Sequence, residues 1–397
     1  MSELYMPPAR AKSILMICPQ YRPIVGGYER AAERLSGELV RQGCDVAVLT
    51  EQRLPEWPRH EMQDGVAIHR WPCRFKPKIH MATSILGMIR FLVRHGRRFD
   101  IWHVHQYGMH CTFAVAMAML LRRPVVLKLT NTGPQGLGVT LSTARLGALQ
   151  RWAHRRISAC VAVSAESAAE AVVFGIPQLR VVEIPNGIDV MRFAPASIEE
   201  RARLRQALDL DPSRQVAVFV GRLSSEKNPL ALLRAWALLR PRLTGPWTLV
   251  MVGDGPLRTD VALLISELGL NSDVWPVGQT KHVPQWLGAA DLFVLSSLNE
   301  GMANTLLEAM ACGLPSVVTD VSGMDQLVRR PQTGLVVPTD SPEALASALQ
   351  SLHADPERRR QMGERARDLI LQRYAIARVA DEHRQLYGSI LDRTARA

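Results

Sequence analysis

QVAVFVGRLSSEKNP, residues 215–229, runs from five consecutive apolar side chains into a polar loop that closes on Asn-Pro. An apolar, β-branched run of this length reads as a strand buried on both faces. Asn228-Pro229 reads as an N-cap followed by proline at the first helical position, so the stretch is strand, loop and helix: one unit of a parallel sheet. The same alternation extends in both directions. Towards the amino terminus, strands fall near SILMIC (13–18), DVAVLT (45–50), IWHV (101–104), PVVLKL (124–129), CVAVS (160–164) and RVVEI (180–184). Towards the carboxyl terminus they fall near WTLVMVG (247–253), DVWPVG (273–278), DLFVLS (291–296), PSVVT (315–319) and GLVV (334–337). Each half therefore forms its own doubly wound α/β domain. The Pro- and Gly-punctuated IPNGIDVMRFAP (184–195) has no helical period and reads as the linker, giving domains over 1–190 and 191–376.

The 397 residues are 47% hydrophobic and 21% charged, which is ordinary globular composition and excludes fibrous and largely disordered classes. The longest apolar run, Phe113 to Leu121, falls short of the roughly 20 residues that span a bilayer. Six cysteines lack CxxC spacing and read as reduced thiols. The charge is uneven. Residues 1–190 carry 24 Lys+Arg and 14 Asp+Glu, net +10, whereas the remaining 24 and 23 give +1. One half of the protein faces something anionic.

Several residues could carry chemistry at the strand ends where open α/β sheets bind ligands. Gly26-Gly27 opens a helix marked by Tyr28, Ala31, Ala32, Leu35 and Leu39, and its backbone amides could meet an anion; a plain tight turn is the alternative. Neither GxGxxG nor GK[ST] occurs. Arg222 and Lys227 share one loop and could neutralise a diphosphate leaving group in place of a metal, or could be solvated surface cations. Glu300 would sit just before a helix and Glu308 one turn inside it, where carboxylates accept from sugar hydroxyls. The amides of Met302, Ala303 and Asn304 would offer phosphates a helix start, with helix capping as the alternative for Glu300. His103 and His105 lie on one strand face; with no third ligand at supporting spacing, a hydrogen-bonding His105 is favoured over zinc.

Taken together, GGYER (26–30), HVH (103–105), VAVSAES (161–167), PNGID (185–189), GRLSSEKN (221–228), GDGPLR (253–258), VPQWLGAADLFVLSS (283–297) and EGMANTLLEAMACGLP (300–315) resemble the retaining glycosyltransferases of family 4 over nearly the whole chain. The resemblance implies a GT-B fold, two Rossmann-like domains facing across a cleft, with a final helix (about 377–397) crossing back to the amino-terminal domain. It implies that Gly27 contacts phosphate, His105 hydrogen-bonds the donor sugar, Arg222 and Lys227 clamp the diphosphate, Glu300 holds sugar hydroxyls and Glu308 the ribose. Two departures concern fine donor contacts: Ala303 where many relatives have Pro or Ser, and Ser322-Gly323-Met324-Asp325-Gln326 in place of Gly-Gly-x-x-Glu.

The expected function is transfer of a hexose from a UDP or GDP sugar to a glycan, lipid-linked or polysaccharide acceptor, without a cofactor or metal. A sugar-nucleotide epimerase on the same fold is the alternative. A nucleic-acid binder would explain the charge but leaves the paired glutamates unused and has no readout motif. The expected location is cytoplasmic, peripheral on the inner face of the membrane. Between Arg74 and Arg98 lie seven Lys/Arg and no acid, and Ile85, Met88, Ile89 and Leu92 give that stretch an apolar helical face suited to an anionic leaflet or to packing on a sheet.

Overall fold

The computed structural model describes residues 12–24, 26–74, 79–130, 147–321, 324–328 and 331–396. The chain forms two compact units, Met1–Gly187 with Ile376–Ala397, and Ile188–Ala375. Lys76 and Lys78 of the basic stretch, and Ser322 and Gly323 of the Ser-Gly-Met-Asp-Gln segment, lie outside the described residues.

The first unit is built on β1 Ser13–Ile17, β2 Asp45–Gln52, β3 His60–Gln63, β4 Val66–Pro72, β5 Ile101–His105, β6 Val125–Leu129, β7 Ala159–Ala162 and β8 Val181–Glu183. Their order across the sheet is β3-β4-β2-β1-β5-β6-β7-β8. All neighbours are parallel except the β3–β4 hairpin, which the sequence reading omitted. Its turn is Asp64-Gly65, both at positive φ (53° and 77°), the conformation that matches a tight hairpin to strand twist.

Burial on both faces explains the unbroken apolar runs. Ile14 and Met16 pack under the helices Gly27–Arg41 and Ile376–Arg396, through Leu35, Leu39, Val379, Leu386 and Ile390. Leu15 and Ile17 point to the opposite face, covered by His80–His95, Met109–Leu121 and Gly147–His154. Each such side chain contributes roughly 1.5–3 kcal/mol on burial. The expectation for Arg74–Arg98 needs correction here. Met88 and Leu92 are buried in this core, so the apolar stripe of His80–His95 faces the sheet and not a membrane. Its outward side carries Met81, Leu86, Arg90, Val93 and Arg94.

In the second unit β9 Gln215–Val220, β10 Trp247–Val252, β11 Val274–Gly278, β12 Leu292–Leu295, β13 Ser316–Thr319 and β14 Gly334–Val337 form a parallel sheet in the order β11-β10-β9-β12-β13-β14. The chain starts at the middle, runs to one edge, returns and fills the other side. The reversal point lies between β9 and β12, as it lies between β1 and β5 in the first unit, and ligands of such sheets bind beyond the strands' carboxyl ends there. The unit closes on itself where Ile188 N donates to Tyr374 O (2.8 Å) and the Arg367 guanidinium donates to the carbonyls of Val190, Phe193 and Ala311.

The loop after β9 is held rigidly from below. Gly253 has a φ of 144°, and a Cβ there would collide with the carbonyl oxygen of Gly221. Leu223 N donates to Asp254 O (3.1 Å), and Leu257 N donates back to Leu223 O (2.9 Å). Asn228 occupies the cap position of helix Pro229–Leu239 but, contrary to the sequence reading, does not cap it. It adopts a left-handed conformation (φ 45°), and its amide donates to Asp340 Oδ1 (3.2 Å).

Candidate functional site

At the β9–β12 reversal the two following loops are stitched together. Ser296 Oγ donates to the carbonyls of Lys227 (2.9 Å) and Asn228 (3.0 Å), and Leu298 N donates to Glu226 O (2.7 Å). Lys227 ends a single 3-10 turn, Ser225–Lys227, and its Nζ donates to Glu300 Oε1. Ser297 Oγ donates to the same oxygen at 2.7 Å. The Glu300 side chain is 9% exposed and that of Lys227 21%, so this pair is largely withdrawn from water and its geometry is held by neighbouring hydrogen bonds. Arg222, by contrast, projects into solvent from the braced backbone between Gly221 and Leu223.

Helix Asn304–Ala311 begins four residues after Glu300, and Glu308 lies just over one turn inside it, 1% exposed. Glu300 is not its cap. The cap position is Ala303, whose side chain has no acceptor, and Glu300 is bound to Lys227 instead. Met302 and Ala303 are buried and Asn304 half-buried. Thus Lys227 and Glu300 are in direct contact, with Arg222 and the helix that carries Glu308 on the loops at the same strand ends.

In the first unit, Gly26 is extended (φ −151°) and Gly27 starts helix Gly27–Arg41. A Cβ on Gly26 would strike the Glu29 carboxylate, which also accepts from its own backbone N–H. The helix start is therefore already faced by an acid, and an incoming phosphate would have to displace it. Burial raises the pKa of Glu29, easing its neutralisation.

His105 ends β5 beside the other reversal and is 1% exposed, with no hydrogen-bond partner at either ring nitrogen among the described residues. Burying an imidazole without a hydrogen-bond partner costs about 1–3 kcal/mol. Its ring stacks on His103 at 4.5 Å between centroids. Lys128, in register with His105 on β6, is also 1% exposed and is pushed down to about 8, chiefly by burial. Burial, helped by Lys128, holds His103 and His105 well below the usual histidine range; His383 falls to about 3 and His154 to about 4. The sequence reading does not include Lys128, His383 or Tyr387, all of them buried. Only Lys128 left a signal there, as a cation inside the apolar run VVLKL.

The structure also assembles Glu51, Cys73 and His80, whose potential ligand atoms lie within 4.8 Å of one another among the described residues. Glu51 Oε2 already accepts from Arg53 (3.2 Å) and Oε1 from Ser84 (2.6 Å), so its charge and lone pairs are engaged.

Residues 25–192 match the model of glycosyltransferase family 4 and residues 200–369 that of the glycosyl transferases group 1. The chain belongs to the family 4, group 1 glycosyltransferases. This glycosyltransferase is 27% identical over 390 residues to a D-inositol 3-phosphate glycosyltransferase of Pseudarthrobacter chlorophenolicus, covering 93% of this chain and 91% of the relative. It is 29% identical over 332 residues to a GDP-mannose-dependent alpha-mannosyltransferase of Mycobacterium tuberculosis, covering 82% and 83%. Among solved structures, HepE of Anabaena in complex with UDP shares the fold, with a TM-score of 0.79 at 21% identity, covering 95% of this chain and all of that one. The fold is that of the GT-B glycosyltransferases.

The buried imidazoles of this glycosyltransferase predict acid sensitivity. Their folded pKa values lie below the unfolded 6.5, so below pH 6.5 the unfolded chain binds more protons. Each of His103, His105, His154 and His383 then removes up to about 1.4 kcal/mol of stability per pH unit until its folded pKa is reached. The thermal midpoint should drop steeply between pH 6.5 and 5; a midpoint constant over that range would show that these rings are not held neutral.

Proposed function

We propose that this glycosyltransferase is a retaining, metal-independent hexosyltransferase that takes a UDP or GDP sugar as donor and a glycan, lipid-linked or polysaccharide intermediate as acceptor. The observation that carries the reading is the contact between Lys227, on the loop that also carries Arg222, and Glu300 on the loop after β12. In this reading Arg222 and Lys227 bind the diphosphate, Glu300 the sugar hydroxyls and Glu308 the ribose, with Met302, Ala303 and Asn304 at the helix start. His105 hydrogen-bonds the donor sugar, and Gly26 and Gly27 give phosphate close access to backbone once Glu29 moves. The bond from the anomeric carbon to the diphosphate oxygen breaks and a bond to the acceptor oxygen forms on the same face, the acceptor proton passing to the departing phosphate. Fixed cations stabilise that developing charge without reorganisation, which is the task a metal performs elsewhere. Family membership supports retention, and the UDP of HepE and the GDP-mannose of the mycobacterial relative support a nucleotide-diphosphate donor.

Arg222→Ala and Lys227→Ala should each lower turnover at least about tenfold at saturating donor, since one fixed donor of this kind is commonly worth roughly 10²–10³ in rate. Nucleotide-diphosphate release from UDP-, GDP- and ADP-sugars, with chelator present throughout, measures this. Wild-type turnover in both variants, or activity lost in chelator and restored by magnesium or manganese, would contradict the clamp.

A peripheral membrane position is proposed as well, on the same arginines of the Arg74–Arg98 stretch but with different apolar side chains. Exposed Met81, Leu86 and Val93 share the outward side of helix His80–His95 with Arg90 and Arg94, next to exposed Arg97 and Arg98. Each cation near an anionic leaflet is worth about 1 kcal/mol. Binding to anionic liposomes should be salt-sensitive and weaken when Arg90, Arg94, Arg97 and Arg98 are changed to Gln. Equal sedimentation with neutral and anionic vesicles, or none with either, would assign this surface to a soluble anionic acceptor.

A further inference from the structure

His383 and Tyr387 lie one turn apart on helix Ile376–Arg396, on the same side, and both are fully buried. The Tyr387 hydroxyl meets His103 Nδ1 at 2.6 Å. His103 is itself fully buried, and its ring lies nearly parallel to that of His105, 29° apart. The His383 ring stands 5.6 Å from His103, and its Nδ1 lies 2.8 Å from Val379 O. A carbonyl oxygen only accepts, so His383 Nδ1 carries the proton and this ring is a fixed wall of the stack.

The direction of the Tyr387–His103 bond follows from counting partners. If His103 Nδ1–H donated, both the tyrosine proton and the lone pair on His103 Nε2 would lack a partner among the described residues. If the hydroxyl donates, only His103 Nε2–H is left over, and the buried pair is better satisfied. We propose that Tyr387 is a positioning residue for glycosyl transfer: its hydroxyl donates to His103 Nδ1, and His103, fixed in this way, holds the His105 ring in the orientation that meets the donor sugar. The inference rests on the sugar-contact reading of His105 and extends it to the carboxyl-terminal helix.

The surroundings make this hydrogen bond matter. The groups acting on His103 are all basic: His105 on its own strand, Lys128 on β6 and His383 on the helix, while its neighbour in register on β1 is apolar Met16. Arg34 of helix Gly27–Arg41 acts in turn on Lys128. A donor to Nδ1 favours the neutral ring, because a protonated imidazole has no lone pair to accept with.

The test is Tyr387→Phe, which removes one oxygen and keeps the ring. Turnover should fall by roughly ten- to a hundredfold, the range that small misplacements of a reacting constellation produce, with donor KM unchanged. The acid limb of the kcat profile should move to higher pH, since His103 loses the donor that favours its neutral form. In a His105→Ala background, single-turnover rates should show no further loss from Tyr387→Phe. Wild-type kcat and acid limb in Tyr387→Phe, with His105→Ala impaired, would overturn the positioning role alone, as would an equal loss in both backgrounds. Wild-type activity in His105→Ala would instead defeat the sugar-contact reading, and the relay with it. Nitrogen-15 spectra of histidine-labelled wild-type protein need no variant. They should show His103 neutral with its proton on Nε2, and a proton on Nδ1 would overturn the bond as drawn.

Discussion

A parallel strand cannot turn back directly into its neighbour; it must cross over through a helix, and in a doubly wound sheet those crossovers change sides once. That constraint fixes where the loops of two crossovers meet in each unit. In the second unit the change of side opens the sheet between β9 and β12, so the loops after them face each other, and these carry Arg222, Lys227 and Glu300. In the first unit the same event between β1 and β5 brings the Gly26-Gly27 helix start to the end of the strand that carries His105. Burial on both faces keeps most strand positions apolar, and three of the polar exceptions in the first unit, His103, His105 and Lys128, gather on the adjacent strands β5 and β6.

The two units solve their charge problems differently. Lys227 is matched by Glu300, and Ser297 completes the carboxylate's hydrogen bonds, so the second unit holds a neutral pair beside a solvent-facing guanidinium. In the first unit Lys128 is buried among His103, His105 and His383, with desolvation as the main force lowering each pKa. The carboxyl-terminal helix completes this cluster with the Tyr387 hydroxyl and the His383 imidazole. That dehydrated environment makes the fold's stability depend on keeping the rings neutral.

Much of this was legible in the sequence. All twelve apolar runs read as strands are strands, because burial on both faces leaves a continuous signal. Apolar runs do not reveal the hairpin β3–β4, because its edge strand His60–Gln63 is polar; its one local mark is Asp64-Gly65. Helical spacing revealed the stripe of Ile85, Met88, Ile89 and Leu92 but not what it faces; amphipathicity has the same period whether a helix rests on a sheet or on a lipid surface. The local pattern reads Asn228 as a cap and leaves capping as the alternative for Glu300; in the structure the tertiary partners Asp340 and Lys227 hold these side chains. His103 and Tyr387 are 284 positions apart, so their bond had no local trace.

The proposed chemistry centres on a diphosphate held by Arg222 and Lys227. The most direct measurement is a crystal structure with the preferred nucleotide sugar bound, grown in the presence of chelator. The expected result is diphosphate oxygens within about 3 Å of Lys227 Nζ and the Arg222 guanidinium, with Glu300 on sugar hydroxyls and Glu308 on the ribose. A diphosphate lying away from both cations, or one that binds only when a divalent ion bridges it to carboxylates, would contradict it.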